Sequence, residues 1–459
     1  MELSPGPRTP PARLTILAAA FVAAACALFA TVGADAEWLA ALGRDIARSW
    51  SIPSGVPFAA ASSAGWHNVP VLGELIFHWL EAGLGTRGLL FAQLAAVVVC
   101  FWLVSVDMGR ARVADQPAAL VMMLVAFAAT PALLIVRSQL FSLALFPVLL
   151  LLLREQARRP SRRVWLVVPL VALWTNLHGG VLLGVAVAGA YLIFARARRE
   201  PLVAAGVLGG MIAALFVTPA LFETANYYRG VVGSVAATDG DGMWRPLSLH
   251  APFDVLFLVV AVPLVLLALR SKPALWEAVV IVGLAVVAVR ASRNEVWLAL
   301  FVAVPAARAL TGRRAWGPVA WSRLVLFAAG FLAAFAIVGL VQKPPPVGVS
   351  EPVMDEASQL AGPTPILADG VNAEALALAG HRILIGNPLD AFSRGEQKLY
   401  LDWLAGKPSG DAELRHACVV VVTPGSPPDR RLQDDRSFVR FNADRNAVLY
   451  GRDCRPDSA

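Results

Sequence analysis

The sequence predicts an all-α polytopic membrane bundle of about eleven transmembrane helices plus interfacial helices, followed by a small C-terminal α/β soluble domain. Three observations carry that reading. Hydrophobic residues make up 58% of the 459 and charged residues only 15%, at a mean hydropathy of +0.64, so the chain lacks the polar surface that a soluble fold of this size needs. Apolar runs of roughly the 17–25 residues that cross a bilayer recur from Leu14 to Val341. Past Val341 the composition returns to that of a water-soluble domain. The chain therefore divides into a cytoplasmic N-terminus (1–13), a transmembrane domain (14–341) with an external loop over 33–86, and an external α/β domain (342–459).

The first run, Leu14–Val32, follows Arg8 and Arg13 as a signal peptide would, but it is long and has no convincing small-residue cleavage site before Asp35. It is read as a retained span. Further spans are expected near 87–106, 116–135, 138–153, 164–178, 180–195, 202–218, 253–269, 274–289, 295–310 and 322–341. The loops Arg154–Arg163, Arg196–Arg199, Arg270–Lys272 and Arg308–Arg314 are the most basic, which places them in the cytoplasm, with two spans between successive loops. The N-terminus is then cytoplasmic and the C-terminal domain external. The net charge of +7 and pI near 9.6 follow from the same loops, so no nucleic acid is expected as a partner.

Pro70–Gly85 would reverse this parity if it crossed. Its apolar positions Leu72, Leu75, Ile76, Trp79 and Leu80 fall on one helical face with the acids elsewhere, as in a helix lying at the membrane interface. Trp38, Leu39, Leu42, Ile46 and Trp50 mark a second amphipathic helix before the turn at Ile52–Gly55. A long, structured loop between spans is more often functional than a plain linker.

With this topology the informative polar residues gather at the external membrane surface: Asp35 and Glu37 after the first span, Trp66, His67, Asn68 and Glu74 in the loop, Arg137 at a span start, and Trp174, Asn176 and His178 at a span end. Ionisable groups at that depth are costly unless they face protein or water, so such a cluster is a default site. Trp and Arg at span ends also serve as ordinary interfacial anchors, and a lone His is often structural. Glu277, one turn inside a span, is read as an interfacial partner of Lys272. No phosphate-binding Gly loop, dinucleotide fingerprint, paired CxxC or HExxH occurs, so no cofactor and no metal are expected. Cys26 and Cys100 lie within spans; Cys418 and Cys454 lie in the external domain, where a disulfide is permitted.

After Lys343–Pro346, strands are expected at Ile366–Ala368, Arg382–Ile385, Cys418–Val422, Phe438–Phe441 and Ala447–Tyr450, and helices at Glu351–Ala361 and Glu396–Leu404. Asp369, Gly370, Asn387 and Asp390 follow strand ends, where binding residues sit, but they are also the usual turn formers.

In order along nearly the whole chain, these residues resemble a family of bacterial inner-membrane proteins, the GT-C type glycosyltransferases that act with polyprenyl-phosphate sugars. Asp35 to Arg44 with Ile52 and Pro53 is similar to the family's first external loop, and Gly65, Trp66, Asn68 to Leu72 and Glu74 to its juxtamembrane helix. Arg137, Gln139, Leu140, Phe141 and Ser142, then Trp174, Asn176, His178 and Gly179, are similar to paired signatures of one branch, as are Trp244 with Pro246 and Gly386–Asp390 with Phe392. Leu39, Val69, Pro70 and Met243 depart from that branch, standing where polar residues are common. The resemblance implies a sugar transferred from a polyprenyl-phosphate donor in the membrane lipid to an external acceptor, with Asp35 as catalytic base and Arg137, His178, Asn176, Trp66 and Glu74 binding substrate. The missing polar positions leave a second reading open: a catalytically inactive scaffold or envelope-assembly protein that binds a partner through its external domain. A transporter is disfavoured, because no span carries a charge near the bilayer midplane.

Overall fold

The computed structural model describes residues 13–33, 35–311 and 348–453. The expected span 322–341, the Pro-rich stretch 343–346, the N-terminal residues, Cys454 and the Met243 side chain lie outside the described residues.

Helices occupy the positions of the other expected spans: Arg13–Phe29, Thr86–Arg110, Asp115–Ala128, Leu140–Arg158, Val167–Thr175, Val181–Tyr191, Pro201–Ala214, Pro252–Arg270, Leu275–Arg290 and Glu295–Leu310. Thr86–Arg110, Leu140–Arg158 and Pro252–Arg270 are each long and apolar enough to cross a bilayer alone. Outward faces are apolar at helical spacing, as with Val259, Val262, Leu266 and Leu269, or Val282, Val286 and Val289, all exposed. Only lipid stabilises such faces, and the chain is a multi-pass membrane protein. Glu295–Leu310 is buried along most of its length and forms the core of the bundle.

Two short breaks in the helices set up everything that follows. The first helix ends at Phe29, and the β-branched pair Thr31–Val32 (β1) runs parallel to Ile135–Val136 (β2), with Thr31 opposite Ile135 and Val32 opposite Val136. The sequence reading ran helical spans through both segments. Here the β-branched residues leave the helix, and because their backbone amides cannot go unpaired near lipid, they bond each other.

The interfacial helices form as expected, at Ala36–Ser49 and Val71–Leu84, packed together through Gly43. A Cβ at Gly43 would stand 2.1 Å from the Glu74 carbonyl oxygen, so only glycine permits this approach. One detail differs from the sequence reading: Trp50 lies past the helix end with φ of 50° and is exposed. The buried face of Val71–Leu84 carries Val71, Glu74 and Phe77 and Trp79 points outward, which is the separation of Glu74 from the apolar stripe that the spacing predicts.

On the opposite side, Glu277 does not pair with Lys272. It approaches Arg154 at 3.8 Å, and Arg154 is bound at 2.6 Å by Asp107 and donates to the Phe301 carbonyl, a buried network tying four helices together.

In the C-terminal region, Leu367–Ala368 (β3), Val419–Val422 (β4), Val439–Ala443 (β5) and Val448–Gly451 (β6) form one sheet in the order β3-β4-β6-β5. β3 is parallel to β4, and the other pairs are antiparallel. Helices Glu351–Ala361, Gly370–Ala379, Arg394–Leu404 and Pro427–Asp434 pack around it. Arg382–Ile385 is not a strand. Instead Ile383 bridges Ile366 on one side and Ala59 of the loop between the first and second long helices on the other. The Ala60 and Ala61 amides donate to the Ile383 and Leu384 carbonyls at 2.8 and 2.9 Å, which stitches the loop to the C-terminal domain. Cys418 is disulfide-bonded, and Cys26 and Cys100 are buried free thiols.

Candidate functional site

The β1–β2 pairing brings Asp35 and Arg137, 102 residues apart in sequence, to the same edge. Arg137 Nη2 and Nε both donate to Asp35 Oδ2, at 2.6 and 3.2 Å. Oδ1 receives only the Trp38 indole N–H, at 3.4 Å, and is the open oxygen of the pair. Burial pushes this carboxyl up, but the opposed charge and hydrogen bonds of Arg137, with the charge of Arg293, outweigh burial and hold it below the ordinary carboxylate range.

Asp35 stands at the start of helix Ala36–Ser49 with φ of 82° and makes no capping bond with its side chain. That left-handed backbone is costly for a non-glycine residue and directs the carboxylate toward Arg137 instead of the helix amides. What holds it comes from the C-terminal domain. The Asp35 amide donates to both oxygens of Glu374, at 3.0 Å each, and Asn387 Nδ2 donates to Glu374 Oε1 at 2.7 Å. Burial, then the Asp35 charge, raises the Glu374 carboxyl to about 8. It is a neutral acid at pH 7; with Oε1 accepting twice, Oε2 is left to carry the proton.

Arg293 completes the charged cluster. It lies over the Trp244 ring at 4.5 Å and within electrostatic reach of Arg137, Asp35 and Tyr227; burial first, then Arg137, lowers it to about 10. Among the described residues no carboxylate forms a salt bridge with it, whereas Arg137 is committed to Asp35. The cluster therefore holds two guanidiniums against one ionised carboxylate, an arrangement fit for an anion.

His178 lies in the turn beside this cluster. Gly180 N–H donates to its Nδ1 at 3.2 Å, and Ser142 Oγ lies 2.7 Å from the same nitrogen. Trp174 Nε1 donates to Ser142 Oγ at 2.7 Å, which leaves the Ser142 proton for His178. Nδ1 is thus an acceptor, and the ring is neutral with its proton on Nε2. Burial and Arg293 push its pKa down to about 3, so it acts as a donor without charge.

The remaining residues singled out from sequence are spread around this centre. Asn176 spends both amide hydrogens on the Ala172 and Val217 carbonyls, at 2.8 and 2.6 Å, and its own carbonyl accepts from Gly73, so it docks the interfacial helix onto the bundle. Glu74 is fully buried against Asn68 Nδ2, and burial raises its carboxyl to about 8. Trp66 Nε1 donates to Asp390 Oδ2 at 3.0 Å. Sequence reasoning did not single out Arg293, Glu374 or Tyr227, and it weighed Asn387 and Asp390 mainly as turn residues. A signal for Arg293 existed: by the expected parity it is a cation on the external side, against the positive-inside trend.

No protein-family model matches the sequence, and no curated protein matches it closely enough to count as a relative. Among solved structures, ArnT from Cupriavidus metallidurans superimposes over 95% of this chain and 97% of its own, at 14% identity, with TM-scores of 0.52 when bound to undecaprenyl phosphate and 0.54 in the apo state. The chain has the GT-C glycosyltransferase fold. A weaker likeness, TM-score 0.49 at 16% identity, covers 97% of this chain and 42% of the mycobacterial arabinofuranosyltransferase AftD, and nothing below rests on it. In this GT-C fold, the Asp35–Arg137–Arg293 cluster lies where the loop after the first helix, the bundle and the C-terminal domain meet.

Proposed function

We propose that the protein transfers a sugar from a polyprenyl-phosphate donor to an external acceptor hydroxyl, with Asp35 as general base. The observation that carries this is the Asp35 carboxylate with one oxygen tied to Arg137 and the other open, beside a second, unpaired guanidinium. In this reading the donor phosphate sits between Arg137 and Arg293, with the His178 Nε2–H as a neutral donor. The acceptor oxygen attacks the anomeric carbon and forms the new C–O bond as Asp35 Oδ1 takes its proton. The bond from that carbon to the phosphate oxygen breaks, and its electron pair leaves on the polyprenyl phosphate, whose growing charge the two guanidiniums stabilise. An incoming phosphate also draws Arg137 away from Asp35, which makes Asp35 more basic when a base is needed. Glu374 acts as a positioning residue through the Asp35 backbone. Trp66 belongs to the acceptor side of the site, whereas Glu74 and Asn176 support it from behind.

The reading includes eleven crossings of a bacterial inner membrane, with the N-terminus cytoplasmic and the site and C-terminal domain external. A disulfide at Cys418 supports the external side, since such bonds persist in oxidising compartments. Removing residues beyond 341 does not separate an enzyme from a scaffold, because the lost segment includes Glu374, which touches Asp35. The test is Asp35→Asn. A strain lacking the gene, complemented with this variant, should show the surface-glycan profile of the empty deletion; a full wild-type profile would reject the proposal.

A further inference from the structure

Where the loop carrying Trp66 meets Asp390 of the C-terminal region lies a cavity of about 590 Å³, lined among others by Trp66, His67, Glu223, Asn226, Tyr227 and Asp390. Resting on the reading of the site as a glycosyltransferase, we propose that this cavity is the acceptor subsite and that it takes a carbohydrate bearing no negative charge.

Three features of the lining argue for this. Trp66, largely buried, and Tyr227 both line the cavity, with ring centroids 6.3 Å apart at 56°. A sugar ring has apolar C–H faces that pack on aromatic surfaces while its hydroxyls point elsewhere. Second, acceptors for those hydroxyls are present. Asp390 binds the Trp66 indole through Oδ2 alone, and no other side chain donates to its Oδ1. Glu223 accepts from Asn226 at 2.7 Å and Glu396 from the Ser393 amide at 3.0 Å, each through one oxygen, so each keeps a second oxygen for a ligand.

The third feature is charge. Among the described residues the lining contains the carboxylates Asp390, Glu223 and Glu396, the imidazole of His67, and no Lys or Arg. The two flanking cations are turned to other partners: Arg229 donates to Asn226 Oδ1 at 2.8 Å, and Arg394 to the Gly233 carbonyl and Thr238. An anionic sugar would meet carboxylates without compensation, so the cavity excludes it. The lipid phosphate and the acceptor are thereby sorted, the anion to Arg137 and Arg293 and the uncharged hydroxyl carrier to this side.

Asp390 and Tyr227 connect the two halves. The Asp35 charge reaches Asp390, and the Asp390, Glu74 and Arg293 charges reach Tyr227. Through them the charges of the Asp35 cluster are felt in the cavity lining.

The test uses full-length protein in lipid nanodiscs and saturation-transfer NMR with three probes: N-acetylglucosamine, methyl α-glucoside and glucuronate. Saturation should pass to the ring protons of at least one neutral sugar and be at least fivefold weaker for glucuronate. Trp66→Leu and Asp390→Asn should each cut the neutral signal at least fivefold. Asn226→Trp, a bulky substitution at an exposed lining position, should do the same, whereas Asn226→Ala, which gives up the same bonds to Glu223 and Arg229, should keep the signal. Glucuronate binding as strongly as the neutral sugars, no transfer to either neutral sugar, or a signal unchanged by Asn226→Trp would each overturn the proposal. Asp35→Asn separates the two claims: it should leave the saturation signal intact while abolishing glycan formation. A lost signal in the cavity variants with an active Asp35→Asn protein would refute the base and leave the subsite standing.

Discussion

Glu374 offers the sharpest lever on the geometry of Asp35. Its carboxyl has an ordinary value of 4.5 and is raised to about 8 in the docked domain by burial and the Asp35 anion. A group raised in this way stabilises docking fully below 4.5, and that contribution is lost as pH rises through 8. Each pH unit within the window is worth about 1.4 kcal/mol, so docking should weaken by about 2–3 kcal/mol between pH 6 and pH 8, a factor of roughly 30 to 100. Glu374→Gln keeps an oxygen that accepts from Asp35 N–H and removes the titration. Hydrogen-exchange protection of residues 367–379, corrected for intrinsic rates, should fall steeply over pH 6–8 in the wild type, and the fall should shrink at least tenfold in the variant. Glu37, raised to about 7 by burial and then the Glu81 charge, titrates in the same window, and Glu37→Gln should account for the residue of the slope. An unchanged slope in Glu374→Gln would refute the view that this acid is held neutral against Asp35.

Further outcomes follow from the same contacts. Gly43→Ala puts a methyl 2.1 Å from the Glu74 carbonyl oxygen, and separating the two interfacial helices should cost about 1–3 kcal/mol, read as a lower melting temperature in detergent; an unshifted transition would contradict the close approach. His178 is pushed down to about 3, so the pH–rate profiles of wild type and His178→Gln should have the same shape between pH 5.5 and 7.5, with only the height reduced; a limb near pH 6.5 present in the wild type alone would contradict the neutral tautomer.

The sequence was most legible where lipid imposes its rules. Helices stand at each described span because long apolar runs admit no other backbone solution there, and the helix over residues 71–84 packs against the helix over residues 36–49. Asp35, Arg137 and His178 could be gathered to one face by parity alone. The contact between Asp35 and Arg137 could not, since it rests on a two-residue parallel pairing between chain segments about 100 residues apart, too short for any periodicity to reveal. Glu374 was hidden for another reason. It sits in the helix Gly370–Ala379, whose first residues, Asp369 and Gly370, read equally as a turn, and nothing local says that this helix will reach across to the first external loop. Glu74 was easier to place: amphipathic spacing set it off the apolar stripe of its helix, and it is buried against protein while Trp79 of that stripe is exposed.

Undecaprenyl phosphate is the most direct probe of the proposed donor-phosphate site, because its use does not require knowing the donor sugar. Measured in nanodiscs by titration, the Arg137→Gln and Arg293→Gln variants should each lose about 10- to 100-fold in affinity, from charge-assisted bonds worth about 1.5–3 kcal/mol each, while Asp35→Asn, relieved of a competing anion, should bind at least as tightly as the wild type. Wild-type affinity in the double arginine variant would contradict the placement of the donor phosphate and the catalytic reading built on it.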